Sequence, residues 1–139
     1  MPVVRRADLN DASLVARLVD SLLVELSGSS SRYEERLATA YRLLTNGDRI
    51  FGFFAVEKQH PLGVIMISER ASIYAAGSFG VITELYVVPE KRSAGIAKLL
   101  IDATVALGRE RWLFRVDTGR LLGDERMTGI GGARVSNAP

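Results

Sequence analysis

The chain has 139 residues, 47% of them apolar and 24% charged, which suits one globular domain with a sizeable core. It contains no cysteine, so disulfides, thiolate metal sites and a cysteine nucleophile are excluded, and a cytoplasmic setting is expected. The net charge of +2 comes without a basic patch interleaved with aromatics, and the apolar run at 62–67 is too short to span a bilayer, so neither nucleic acid nor membrane is an expected partner.

Val3 to Arg6 reads as a short first strand. The start turns polar at Asp8, without the apolar core of a signal peptide. Asp8 is a candidate helix cap, with Asp11 three residues later at the positive end of the helix dipole. Leu14, Val15, Leu18, Val19, Leu22, Leu23 and Leu26 then recur at helical spacing, and Gly28-Ser29-Ser30-Ser31 breaks the pattern. A second helix puts Tyr33, Leu37, Ala40, Tyr41 and Leu44 on one side and stops at Asn46-Gly47.

From Ile50 the period changes. Residues 50–56 read as a strand, Lys58-Gln59-His60-Pro61 as a turn and 62–68 as the next strand. A further strand covers 81–88 and ends at Pro89. After Gly95 a helix is expected to bury Ile96, Leu99, Leu100, Ala103 and Leu107 and to end at Gly108; a strand follows at 112–116. Hairpins in the middle and a strand–helix–strand unit near the end predict an α/β (α+β) class, with a mixed, mostly antiparallel sheet flanked by helices. Residues 118–139, punctuated by Gly119, Gly123, Gly129, Gly131 and Gly132, read as a loop-like tail.

The segment 84–100 carries the chemistry. It is an apolar strand, a short basic turn, a glycine and an amphipathic helix. Such an order gathers free backbone N–H groups and a positive dipole end at one point, the seat of a pyrophosphate. Gly95 lets the main chain come close, small Ser93, Ala94 and Ala97 keep the surface low, and Lys91, Arg92 and Lys98 add positive charge. The main chain of Leu85, Tyr86 and Val87 is placed to pair with an extended ligand as an added strand.

The combination Val87, Pro89, Arg92, Gly95, Ala97 and Leu100 resembles the coenzyme A-binding motif of the GNAT superfamily of acyl-CoA N-acyltransferases. The resemblance covers roughly residues 3–117 and implies a GNAT-like acetyl-CoA-binding domain at 1–117, with 118–139 a divergent tail. It implies that Leu85, Tyr86 and Val87 contact the pantetheine arm and acetyl carbonyl, and that Arg92, Ser93, Ala94, Gly95, Ile96, Ala97 and Lys98 surround the pyrophosphate. The implied cosubstrate is acetyl-CoA, with no metal, and the implied acceptor is a small-molecule or peptide amine. Family members continue with another helix, bearing a Tyr that protonates the leaving thiolate, and two strands. The tail here has no Tyr, so the chain reads as truncated or divergent at its C-terminus, and a homodimer formed through the uncovered sheet is an expectation.

Direct attack of an amine on a thioester needs a base and donors for the oxyanion. Glu84 is the candidate base, with an ordinary strand carboxylate as its alternative. The resemblance implies that the Val87 amide is the donor to the carbonyl. Tyr86 is a candidate acid, with apolar packing as the competing role. His60, the only histidine, sits in a turn and reads as solvated; Ser29-Ser30-Ser31 has no visible histidine–acid partnership. Glu34, Glu35, Asp48, Glu57 and Glu69 are placed around the acceptor side. Two functions fit: an N-acetyltransferase, or a degenerate acyl-CoA-binding protein without catalysis.

Overall fold

The computed structural model describes residues 1–73, 77–111, 115–117 and 135–136. The chain runs β1 (Val3–Arg6), α1 (Ala12–Ser27), α2 (Tyr33–Leu44), β2 (Ile50–Glu57), β3 (His60–Ser72), β4 (Gly77–Val87), α3 (Ile96–Arg111), β5 (Arg115–Asp117) and β6 (Val135–Ser136). The strands lie in one sheet in sequence order. β1 to β4 pair antiparallel, and β5 runs parallel to β4 after the α3 crossover, giving an α+β fold with a mixed, mostly antiparallel sheet. β6 pairs antiparallel with β5. The rest of the tail at 118–139, with the question of a missing helix and strands, lies outside the described residues.

Asp8 closes a capping box, accepting from the Asn10 amide at 2.8 Å while Asp11 accepts from the Asp8 amide at 2.9 Å. It caps a single 3-10 turn, Leu9–Asp11, that leads into α1. The buried Asp20 of α1 reaches across to the start of α2, accepting from Ser31 Oγ at 2.5 Å and from the Arg32 amide at 2.8 Å. These bonds hold its carboxyl below the ordinary range; the Ser31 hydroxyl is the main cause, opposed by burial.

The sheet has two covered faces. Phe51, Ile65, Ile67, Ile82, Leu85, Ile96 and Leu100 fill the α3 side. Val15, Leu18, Leu22, Phe54, Val64, Met66 and Tyr86 fill the α1/α2 side. Tyr41 does not join the second core: it is 57% exposed, one helical step away from the buried Ala40.

The β3–β4 hairpin is longer than its apolar runs suggest. Pairing continues through Glu69↔Gly80 and Arg70↔Phe79 to Ser72↔Gly77. His60 and Pro61 belong to β3, not to a turn; Pro61 lies opposite Val56 at a register shift, where a missing N–H is tolerated.

α3 also departs from expectation. Its buried stripe is Ile96, Leu100, Thr104 and Gly108, spaced by four, while Leu99 is 37% exposed. Thr104 satisfies its buried hydroxyl on the Leu100 carbonyl at 3.0 Å. Gly108 does not end the helix, which runs on to Arg111. Arg111 anchors that end: it binds Glu69 at 3.0 Å, donates to the Asp48 carbonyl and stacks 4.8 Å from the centroid of Phe51.

Candidate active site

A bulge in β4 sets the site. Met66 pairs with Glu84 and Ile67 with Ile82, so Thr83 is an extra residue. Its hydroxyl lies 3.1 Å from Glu84 Oε1 and 3.4 Å from the Met66 carbonyl oxygen. Cross-strand neighbours share a face, and Met66 belongs to the α1/α2 core; Glu84 and Tyr86 therefore stand on that face, while Leu85 and Val87 point toward α3.

The register also fixes where the backbone points. Val88 donates to the Leu62 carbonyl at 2.9 Å, which makes Gly63–Val87 a pair without mutual hydrogen bonds. The N–H groups of Leu85 and Val87 thus face away from β3. On that outer edge β5 pairs only with Gly80 and Val81. From Ile82 to Val87 the edge has no strand partner among the described residues.

The turn after β4 leads to the second set of donors. Ser93 (φ +76°) and Gly95 (φ +81°) both adopt left-handed backbone. A Cβ on Gly95 would meet no protein atom within 4 Å, so the space over it is open. Leu99 makes the first helical bond, to the Gly95 carbonyl at 3.2 Å. The amides of Gly95, Ile96, Ala97 and Lys98 precede it and have no acceptor among the described residues. Four N–H groups at the positive end of a 16-residue helix form a cradle for an anion.

Two of the side chains around this cradle, Lys98 and Arg92, are already engaged. Lys98 pairs with Asp102 at 2.7 Å in solvent. Arg92 donates to the Val87 carbonyl at 2.9 Å, forks onto the Glu25 carboxylate at 2.6 and 2.7 Å, and lies 5.4 Å from the Tyr86 ring centroid. Tyr86 is only 6% exposed. Its phenol is pushed above its usual range, first by burial and then by Glu25, so it keeps its proton at neutral pH.

Glu84 is also pushed up, by burial, with the Thr83 hydroxyl opposing. A carboxylate raised toward neutrality is a stronger base than a solvated one. The structure therefore brings Glu84, Tyr86, the outer edge at Leu85 and Val87, and the amides from Gly95 to Lys98 around one β4–α3 corner. It does not bring Asp48 and Glu69 there, because Arg111 holds both at the far end of α3. His60 is exposed at the start of β3. Among the described residues no cluster of three or more His, Asp or Glu could hold a metal.

Three features escaped sequence reasoning. The Thr83 bulge has no local marker, since threonine is an ordinary strand residue. Left-handed Ser93 is unannounced by its residue type. Glu25 lies 67 positions from Arg92, and no short-range pattern links them.

Comparison with known proteins agrees with this fold. Residues 15–120 match the Acetyltransferase (GNAT) family, and the chain belongs to that family. A predicted acetyltransferase from Clostridium acetobutylicum, solved with acetyl-CoA, is 24% identical, with 84% of this chain and 79% of that one covered and a TM-score of 0.71. A ribosomal-protein-alanine N-acetyltransferase from Brucella melitensis biovar Abortus 2308 is 20% identical, with 96% and 92% covered and a TM-score of 0.72. An aminoglycoside acetyltransferase from an uncultured soil metagenomic sample, in complex with sisomicin, is 22% identical, with 83% and 74% covered and a TM-score of 0.65. No curated protein matches the chain.

Proposed function

We propose that this protein is an N-acetyltransferase that moves an acetyl group from acetyl-CoA to a primary amine. One observation carries the reading: the outer edge of β4 from Ile82 to Val87, which has no strand partner among the described residues, leads into the amides of 95–98, which have no acceptor among them. An extended arm ending in a pyrophosphate matches that pair of surfaces, with strand-like pairing along Leu85–Val87 and phosphate oxygens on the amides of 95–98. The open space over Gly95 fits the approach of a bulky anion. Acetyl-CoA supplies the activated thioester.

The remaining roles fall to this chain. An outward amide, that of Val87 or its neighbour Leu85, donates to the thioester carbonyl oxygen and holds the charge that develops there. Glu84 first receives a proton from the substrate ammonium, directly or through a water, so that the neutral amine attacks. The nitrogen–carbon bond forms, the carbon–sulfur bond breaks, the thiolate leaves, and the nitrogen's second proton passes to that thiolate or to solvent. Tyr86 is assigned to packing: its ring is buried under α1 and covered by Arg92.

Amine-dependent release of free thiol from acetyl-CoA, measured against a panel of primary amines, tests the reading. Coenzyme binding without thiol release for any amine would favour a non-catalytic acyl-CoA-binding protein. No binding at millimolar acetyl-CoA would remove both.

A further inference from the structure

Arg92 spends its guanidinium on protein groups, at a half-exposed position. Nε caps the Val87 carbonyl at 2.9 Å, the two terminal nitrogens fork onto Glu25 at 2.6 and 2.7 Å, and one face covers the Tyr86 ring. A planar fork on a planar carboxylate fixes orientation as well as distance. Glu25 belongs to α1, whereas Arg92 lies in the turn that begins the anion cradle. The pair thus fastens the turn to a helix on the opposite face of the sheet.

Two consequences follow for a ligand on the outer edge. Val87 would otherwise present both its N–H and its carbonyl there; Arg92 fills the carbonyl. Among the described residues the groups left open are the Leu85 N–H and carbonyl and the Val87 N–H, so ligand pairing has one register. Arg92 also immediately precedes left-handed Ser93, and holding it fixes where the amides of 95–98 stand relative to β4.

We propose that Glu25 is a positioning residue of the coenzyme site, acting through Arg92 on the Val87 carbonyl and on the seat of the 93–98 turn. The inference rests on the coenzyme-binding reading above. With Glu25 neutralised, Arg92 is drawn toward the ligand's phosphates, and the Val87 carbonyl is uncapped. A lysine at 92 keeps the charge but cannot fork and cap together.

Titration calorimetry with acetyl-CoA on the full chain tests it. Glu25→Gln is expected to weaken binding roughly tenfold, the scale of one lost charge-assisted fork. Glu25→Asp, which retains the carboxylate, should keep more affinity than Glu25→Gln. The ligand-free melting midpoint should stay near wild type, because the pair is half-exposed. Arg92→Lys serves as the second variant, and the double variant Glu25→Gln/Arg92→Lys should bind no more weakly than Arg92→Lys alone. Wild-type affinity in Glu25→Gln, or additive losses in the double variant, would overturn the positioning role while leaving the coenzyme reading intact. Absence of binding by the wild type would overturn the coenzyme reading and this inference with it.

Discussion

Gly63 of β3 lies so close to Tyr86 of β4 that a Cβ on Gly63 would stand 2.7 Å from the Tyr86 carbonyl oxygen. The same Cβ would come within 3.3 Å of Leu100 and 3.4 Å of Ile96, so it has backbone on one side and the α3 core on the other. The close approach holds the first turn of α3's buried stripe and the ligand-facing end of β4 in one packing unit.

Gly63→Ala is therefore expected to destabilise the fold by about 1–3 kcal/mol, the range for overpacking a tight site. The Tyr86 carbonyl cannot move without shifting Val87, so acetyl-CoA affinity should fall as well. Urea unfolding and calorimetry on the same sample check the two effects. A stability equal to wild type would show that the strands separate freely at this point.

Much of this corner was legible in the sequence. Val87, Pro89, Arg92, Gly95 and Ala97 mark strand, turn and helix start by residue type, because each answers a local steric or hydrogen-bonding demand. The helical stripe of α1 was legible for the same reason, and that of α2 apart from the exposed Tyr41. The β3–β4 extension was not, since Glu69, Arg70 and Ser78 break the apolar alternation that marks a strand. Nor was the Thr104–Gly108 stripe: a threonine that bonds its own helix and a buried glycine both look polar or helix-ending until the sheet beneath them is known. Contacts such as Glu25–Arg92 are set by tertiary packing alone.

Gly95 is held at φ +81° with open space where a side chain would go. Gly95→Leu should cost about 1–2 kcal/mol in stability from the left-handed backbone. Its larger effect should be on binding, because the new side chain enters the space over the free amides. A folded Gly95→Leu protein that binds coenzyme A as tightly as wild type would show that the cradle is not the phosphate seat.

Asp20 ties α1 to α2 through Ser31 and the Arg32 amide. Asp20→Ala removes the buried acceptor for both, at an expected cost of about 1–3 kcal/mol. The folded carboxyl lies below its usual 3.8, so the folded state binds fewer protons than the unfolded state in that window. Its contribution is complete above pH 3.8 and is lost as pH falls through the folded value. Melting midpoints of wild type and Asp20→Ala, taken down a pH series, should draw together at the acid end. A gap that stays constant would place the stabilisation outside the ionised carboxylate.

Glu84 has the opposite sign. Burial lifts its carboxyl above 4.5, so between 4.5 and the folded value the folded protein holds a proton that the unfolded chain has released. The penalty is absent below pH 4.5, grows as pH rises toward the folded value and is then constant. Glu84→Gln keeps the shape and removes the charge. Its melting midpoint should exceed that of wild type at pH 7–8, with the advantage vanishing in acid. Turnover should move the other way, falling about 10²–10⁴-fold if the carboxylate is the base that takes the ammonium proton. Acetyl-CoA affinity should change little, since the outer-edge amides and the α3 cradle are untouched. A variant that is both more stable at neutral pH and much slower would identify Glu84 as a residue kept for chemistry at the expense of stability. A stabilised variant with wild-type turnover would remove it from the mechanism and leave the amine to lose its proton to solvent before it binds.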